Sequence, residues 1–76
     1  MEITKAEWRA DKHELKVEGK GEKGLTVEVK NAFDLSQLLG STTVRDGKWR
    51  VRAKNPSPVP CRVRAEMDGQ VAERDV

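Results

Sequence analysis

Hydrophobic and polar residues alternate with a period of two along most of the chain. In HELKVEG (13–19), Leu15 and Val17 share one face, and charged residues occupy the other. The same alternation recurs in three further segments, LTVEVKN (25–31), KWRVRAK (48–54) and CRVRAEM (61–67). Because successive side chains of a strand point to opposite faces, this pattern predicts half-buried β-strands that each have one wet face.

Turn-forming residues separate these segments. Asp46-Gly47 and Asp68-Gly69 are of the kind that two-residue hairpin turns with positive φ prefer. With further runs at ITKAEWRA, STTVR (41–45) and QVAERDV, the chain contains about seven short strands. Helical spacing fits only residues 32–40, as at best a single turn in a loop. The pattern predicts one domain over residues 1–76, an Ig-like or fibronectin III-like antiparallel β-sandwich.

Two further features favour two sheets. The segment NPSPVP (55–60) is stiff and extended, so we expect it to carry the chain from one sheet to the other; the alternative is a polyproline ligand for another domain. Leu39 and Val44 have opposite parity, and both can face a core only if the strand bulges or changes sheet near Gly40. A similar parity break follows Ile3.

Composition restricts the class of protein. The chain has 76 residues, of which 37% are charged, and 15 basic residues nearly balance 13 acidic ones. The net charge of +2 is a weak argument for binding to nucleic acid or membranes. No apolar stretch approaches the roughly 18 residues of a membrane helix, and the N-terminus lacks the regions of a signal peptide. Both ends resemble cuts, which predicts a module excised from a longer protein.

Candidate chemical residues are few. His13 and Cys61 are the single histidine and cysteine, and no segment has the spacing of a calcium or phosphate loop, so we expect no catalysis, cofactor or metal. His13 is expected to be a solvated surface residue. Cys61 begins a predicted strand on the face of Val63, which leaves two readings: a buried free thiol, or a disulfide to a cysteine beyond residue 76.

The aromatic residues have two readings each. Trp8 and Trp49 share parity with aliphatic neighbours and are expected in the core; a stacking platform for sugars or bases is the alternative. Phe33 lies off the strand pattern. It is expected to cap one end of the core from a loop, and a contact residue for a ligand is the alternative.

The basic residues of KWRVRAK are predicted to be paired. If this segment lies beside HELKVEG, then Arg50 and Arg52 face Glu14 and Glu18 across the strand ladder. Opposite charges at such positions contribute about 0.2–1 kcal/mol each and hinder edge-to-edge aggregation.

The basic residues of CRVRAEM are predicted to lie on the other sheet, where Arg62 and Arg64 are expected near Glu28. The alternative function is an acidic polymer or glycan site that combines surface cations with an aromatic residue. Its candidate contacts are Phe33, Arg50, Arg52, Arg62 and Arg64.

An ordered set of short motifs resembles a known family. LKVEGKGEKGLTVEVKNA, followed by LLGSTTVRDGKWRV, resembles the bacterial Ig-like domains of large secreted and cell-surface proteins. The shared features are a strand ending in Gly, a TVxV strand, an LGS/T corner and a DGxW hairpin, over about residues 14–53. The resemblance implies a spacer or adhesion module with neighbouring domains, surface proteins or glycans as partners. The nearly balanced charge predicts that nucleic acid is not among them. The longer loop NAFDLSQ and the basic residue before Asp46 depart from the family, and the second weakens any calcium site there.

Overall fold

Seven strands account for most of the chain. The computed structural model describes all 76 residues, and it contains no helix. The strands are β1 (Glu2–Arg9), β2 (Glu14–Lys20), β3 (Thr26–Asn31), β4 (Asp34–Thr43), β5 (Lys48–Lys54), β6 (Arg62–Met67) and β7 (Gln70–Asp75). The all-β prediction of about seven strands is confirmed.

The strands form two antiparallel sheets with the orders β1-β2-β5 and β4-β3-β6-β7. This is an Ig-like or fibronectin III-like sandwich. It differs from the immunoglobulin constant arrangement because the fourth strand lies beside β3 and not beside β5. The consecutive strands β4 and β5 therefore belong to different sheets.

The core lies between the inner faces of the two sheets. It consists of 12 buried apolar residues: Ile3, Leu15, Val17, Val27, Val29, Val44, Trp49, Val51, Ala53, Val63, Ala65 and Met67. Trp49 is only 4% exposed, as predicted, and its indole Nε1 donates a 3.4 Å hydrogen bond to the carbonyl of Lys20. Trp8 is half-buried and packs against the margin of this core. Burial of each large apolar side chain contributes about 1.5–3 kcal/mol.

The two Asp-Gly turns form as predicted. The φ angles are 51° at Asp46 and 77° at Gly47, and 46° at Asp68 and 80° at Gly69. Positive φ at both central residues is the geometry of a type I′ turn, which matches the twist of paired strands. The turn at Asp46 is closed by reciprocal backbone hydrogen bonds of 2.8 and 2.9 Å between Arg45 and Lys48.

The proline-rich segment connects β5 of one sheet to β6 of the other, so its predicted role as a crossover is confirmed. Pro60 is buried, and the Gln37 side chain donates a 3.0 Å hydrogen bond to the carbonyl of Pro58. The segment is therefore tied to β4.

The predicted bulge lies beside Gly40. Val29 pairs with Gly40 but Lys30 pairs with Leu38, so Leu39 is an extra residue in β4. A Cβ atom at Gly40 would lie 2.7 Å from Val51 Cγ1, so the glycine lets β4 approach the opposite sheet. The first strand has a register shift after Ile3, which confirms the second predicted parity break.

The predicted loop over residues 32–40 is wrong, because β4 already begins at Asp34. The Asn31 side chain accepts a 2.9 Å hydrogen bond from the backbone N–H of Phe33, which closes a turn of two residues. Phe33 is 74% exposed, so its predicted role as a cap over the core is also wrong. A side chain at the tip of so short a turn cannot fold back over the sandwich.

The first and last residues lie at opposite ends of the strands. The Met1 ammonium donates a 3.1 Å hydrogen bond to Gln70, where β7 begins, and the Val76 N–H donates a 2.9 Å bond to the carbonyl of Cys61, next to the end of β7. We call these ends the N-terminal pole and the C-terminal pole. The molecule measures 31 × 22 × 16 Å along its principal axes.

Candidate functional site

The outer face of the four-stranded sheet carries paired charges. Arg62 Nε lies 2.9 Å from Glu73 and its Nη1 lies 2.7 Å from Asp75. Arg64 Nε lies 2.8 Å from Glu66, and its Nη1 lies 3.6 Å from Glu73. Each arginine of β6 therefore contacts two carboxylates, and we call this surface the paired face.

Lys30 extends the paired face onto β3. Its Nζ lies 2.9 Å from Glu66, and this hydrogen bond, with the one from Arg64, holds the pKa of Glu66 below its ordinary value. The predicted proximity to Glu28 is confirmed for Arg64, which lines one surface depression with it, but neither arginine of β6 forms an ion pair with Glu28, which lies directly opposite Glu66. The acids that neutralise β6 come mainly from β7 instead.

Hydrogen bonds also stabilise the charged form of Arg62. Those to Glu73 and then Asp75 raise the pKa of the guanidinium above its ordinary value. Because two carboxylates offset its positive potential, Arg62 attracts an external anion only weakly.

The outer face of the three-stranded sheet is less completely paired. Glu18 lies 3.2 Å from Lys16 and 3.7 Å from Arg50, and the hydrogen bond from Lys16 is the largest cause that lowers the pKa of Glu18. The predicted contact of Arg50 with Glu18 is confirmed. Arg52 lies opposite Lys16, and no carboxylate lies within 4.0 Å of it, so its predicted contact with an acid is wrong; Glu14 lies opposite Lys54.

Three cations form a row at the N-terminal pole of this sheet. Lys20 is directly opposite Lys48, and Lys48 is directly opposite Arg45 across the Asp46-Gly47 turn. Residues that pair directly present their side chains on the same face, about 4.5–5.5 Å apart at Cβ. All three are exposed, and none has a carboxylate within 4.0 Å. We call Lys20, Lys48 and Arg45 the cationic row.

A surface groove of about 840 Å³ runs along the cationic row. Its other lining residues are Thr4, Glu18, Gly19, Thr42, Thr43, Trp49 and Arg50. Hydroxyl and cationic groups dominate the donors on these walls, and the single carboxylate is that of Glu18. The groove can therefore bind an anionic group in preference to a neutral or cationic one.

The C-terminal pole contains the remaining candidate residues. The predicted exposure of His13 is confirmed, and its ring packs edge-on against Trp8 with centroids 6.1 Å apart. Cys61 is exposed and precedes β6, which begins at Arg62, so the prediction of a buried thiol is wrong. The predicted disulfide to a cysteine outside this chain stays a prediction.

The candidate contacts chosen from the sequence do not meet at one place. Phe33 lies at the C-terminal pole, because the neighbouring Ala32 N–H donates to the carbonyl of Arg62. Arg50 and Arg52 lie on one outer face and Arg62 and Arg64 lie on the other, as their strands belong to different sheets.

The cationic row was missed at the level of sequence, although a signal was present. A two-residue Asp-Gly turn places the residues that flank it opposite each other, which predicts Arg45 beside Lys48. That Lys20 lies beside Lys48 can be predicted only when the register between β2 and β5 is known.

No group of three or more His, Cys, Asp and Glu side chains is arranged to hold a metal ion. The fold also contains no helix of the length and apolar character that crossing a membrane requires.

Comparison of the chain with models of known protein families, with curated proteins and with solved structures gave no match.

Proposed function

We propose that this chain is a non-catalytic structural module, a spacer or adhesion domain of a bacterial extracellular or cell-envelope protein. The observation that carries the proposal is the position of the chain ends, with Met1 at one pole and Val76 at the other. A sandwich with this geometry joins its neighbours end to end and adds its long axis to the length of the whole protein. The resemblance of residues 14–53 to bacterial Ig-like domains supports the same role and location.

The partners that follow from this role are the neighbouring domains of the same chain, with proteins or glycans at the cell surface as further partners. The paired face supports it too, since Arg62 and Arg64 are neutralised by carboxylates of their own sheet. Such a surface keeps a module soluble and prevents nonspecific capture of polyanions.

The spacer role is tested with two copies joined head to tail by a two-residue linker. We expect small-angle X-ray scattering to give a maximum dimension roughly twice the 31 Å long axis, and each copy to keep the Tm of the single domain. A side-by-side, compact pair would contradict the proposal. Labelling of intact source cells with an antibody against the domain tests the location, and a cytoplasmic signal alone would contradict it.

The alternative function, binding of an acidic polymer, is tested by titration. Interleaved carboxylates cancel a cationic field within about one Debye length, roughly 8–10 Å. We therefore expect a Kd of roughly 10⁻⁴ M or weaker for single-stranded DNA, RNA or heparin at about 200 mM salt. Micromolar binding that is lost in the double variant Arg62→Glu, Arg64→Glu would favour the alternative.

A further inference from the structure

The cationic row is a local exception to the pairing of charges on this molecule. Like charges directly opposite each other on one face of a sheet are destabilising. Lys48 nevertheless has Lys20 on one side and Arg45 on the other. The register cannot slip to relieve this, because a shift of one residue would turn Trp49 and Val51 from the core to the solvent.

Nearby carboxylates do not neutralise the row. Glu2 lies opposite Lys20 on β1 and Asp46 lies in the turn, but neither comes within 4.0 Å of a cation of the row. Glu18, the single acid in the groove, is already held by Lys16 and by Arg50. None of the three cations forms a salt bridge, so Glu2 and Asp46 offset the positive potential of the row only in part.

The groove beside the row supplies the remaining features of an anion site. Thr42 and Thr43 of β4, together with Thr4 of β1, add hydroxyl donors to its walls. Its volume of about 840 Å³ is sufficient for a small ligand. The donors come from both sheets, since β4 belongs to one and β5 to the other.

We propose that the cationic row binds a terminal phosphate group, either free phosphate or a phosphate monoester of a small molecule. Such a group carries close to two negative charges and three acceptor oxygens, which matches three cations in a row. A carboxylate brings only one charge and would leave the row repulsive. The row accommodates one phosphate group and not the backbone of a polymer, so the site is independent of the spacer role and compatible with weak polyanion binding.

The first test is a titration followed in ¹H–¹⁵N NMR spectra with inorganic phosphate and with glucose 6-phosphate at neutral pH. We expect saturable shifts confined to residues 18–20 and 42–50, with a Kd in roughly the millimolar range for these small anions. Sodium chloride at the same ionic strength should not produce them. Tighter binding of glucose 6-phosphate would assign the groove to a sugar phosphate, and equal binding would assign the site to the phosphate group alone; both support the proposal.

The matched variants are Lys48→Gln and Lys54→Gln. Both remove one exposed cation from the outer face of β5, but Lys54 lies at the opposite end of the strand. Because hydrogen bonds between charged groups are strong, Lys48→Gln should weaken phosphate binding about tenfold. Lys54→Gln should leave the Kd within about twofold, the effect expected of a distant surface charge.

A third variant separates a binding role from a structural one. Lys48→Glu places a carboxylate between Lys20 and Arg45, so it should raise the Tm of the free protein while it abolishes phosphate binding. The proposal is overturned if the shifts follow ionic strength for every salt, or if Lys48→Gln and Lys54→Gln weaken binding equally. A lower Tm for Lys48→Glu would also overturn it, since the row would then not be a site of repulsion.

Discussion

The outer faces of the two sheets carry the same alternation of basic residues but differ in how these are neutralised. On the paired face, Arg62 and Arg64 each contact two carboxylates, whereas on the three-stranded sheet Arg52 contacts none. The reason is topological. β6 lies between two strands, and β7 presents acids at the matching positions, while β5 is an edge strand with only β2 beside it. The neighbouring strand thus determines whether a surface arginine is paired with a carboxylate.

The inner faces of the two sheets, in contrast, contribute to one common core. The largest predicted effects come from substitutions in this core. Trp49 belongs to the three-stranded sheet and Met67 to the other, and both are buried in one core. We expect Trp49→Ala to cost about 3–5 kcal/mol and Met67→Ala about 2–5 kcal/mol of unfolding free energy. Denaturation followed by circular dichroism measures both.

Each of these core variants should unfold in a single transition, because one core holds both sheets. Unfolding of one sheet before the other would contradict a common core, since the sheets would then be separate cooperative units. In a Trp8→Phe background, native emission from Trp49 should be blue-shifted. Red emission that is freely quenched would show that the indole is exposed.

A glycine pair tests how closely the backbone is packed inside the three-stranded sheet. A Cβ at Gly19 would lie 2.5 Å or less from the Glu2 carbonyl and the Trp49 indole, whereas one at Gly21 would meet the terminal methyl of Met67 at 2.9 Å. Gly19→Ala should therefore cost at least about 1–3 kcal/mol. Gly21→Ala should cost clearly less, because a flexible methionine can move. Equal losses of stability in urea unfolding would contradict this account.

Acidification should weaken the paired face through Glu66. The pKa of Glu66 is lowered in the folded state, chiefly by Lys30, so its ionised form is favoured by folding. That contribution is present above the ordinary value of 4.5 and is lost as the pH falls through the lowered folded-state pKa. Thermal unfolding between about pH 7 and 3 should show a smaller loss of Tm for Glu66→Gln than for the wild type.

The control for the acid prediction is Glu28→Gln. Glu28 lies directly opposite Glu66 but has no cation within 4.0 Å, so its removal should keep the wild-type loss of Tm on acidification. If both variants flatten the pH dependence to the same extent, the ion pairs of Glu66 are not its cause.

The smallest predicted effect compares one arginine from each outer face. Arg52→Gln removes a cation without an acidic partner and should change stability by no more than about 0.5 kcal/mol. Arg62→Gln breaks contacts with two carboxylates and should lower the Tm measurably. Differential scanning calorimetry in low and high salt separates them, since only the Arg62 effect should shrink with salt. Identical behaviour would remove the distinction between the two faces.

Local patterns in the sequence were sufficient for most of the fold. Alternation gave the strands around Leu15, Val29 and Val51, and the Asp-Gly pairs gave two turns. The opposite parity of Leu39 and Val44 gave the bulge. These features depend on short segments in which a single strand register places all the apolar side chains in the core.

The first half of β4, before Gly40, was missed because exposed apolar side chains hide the alternation there. Leu35 and Leu38 are exposed, and only one neighbour pairs with the strand, so the alternation of half-buried residues is lost. The turn that precedes it depends on the side chain of Asn31 and not on a Gly or Pro. Phe33 was expected to cap one end of the core because the connection was taken to be a long loop.

The ion pairs were harder to predict, because they depend on register between strands. Glu28 was chosen as the partner of β6 from the pairing with β3, where the register places two acids opposite each other. The hairpin at Asp68-Gly69 alone would have placed Arg62 opposite Asp75 and Arg64 opposite Glu73. The separation of Arg50 and Arg52 from Arg62 and Arg64, in contrast, was predicted correctly from the proline-rich crossover.

The opposite positions of the two chain ends also determine how the fold responds to mechanical load. Tension applied between Met1 and Val76 runs along β1 and β7, whose ladders to β2 and β6 are perpendicular to the strands. The hydrogen bonds of each ladder are then loaded together in shear and do not open one at a time from an end. The Arg74 side chain, which donates to the carbonyl of Ile3 at 3.3 Å, links the two loaded strands across the sheets.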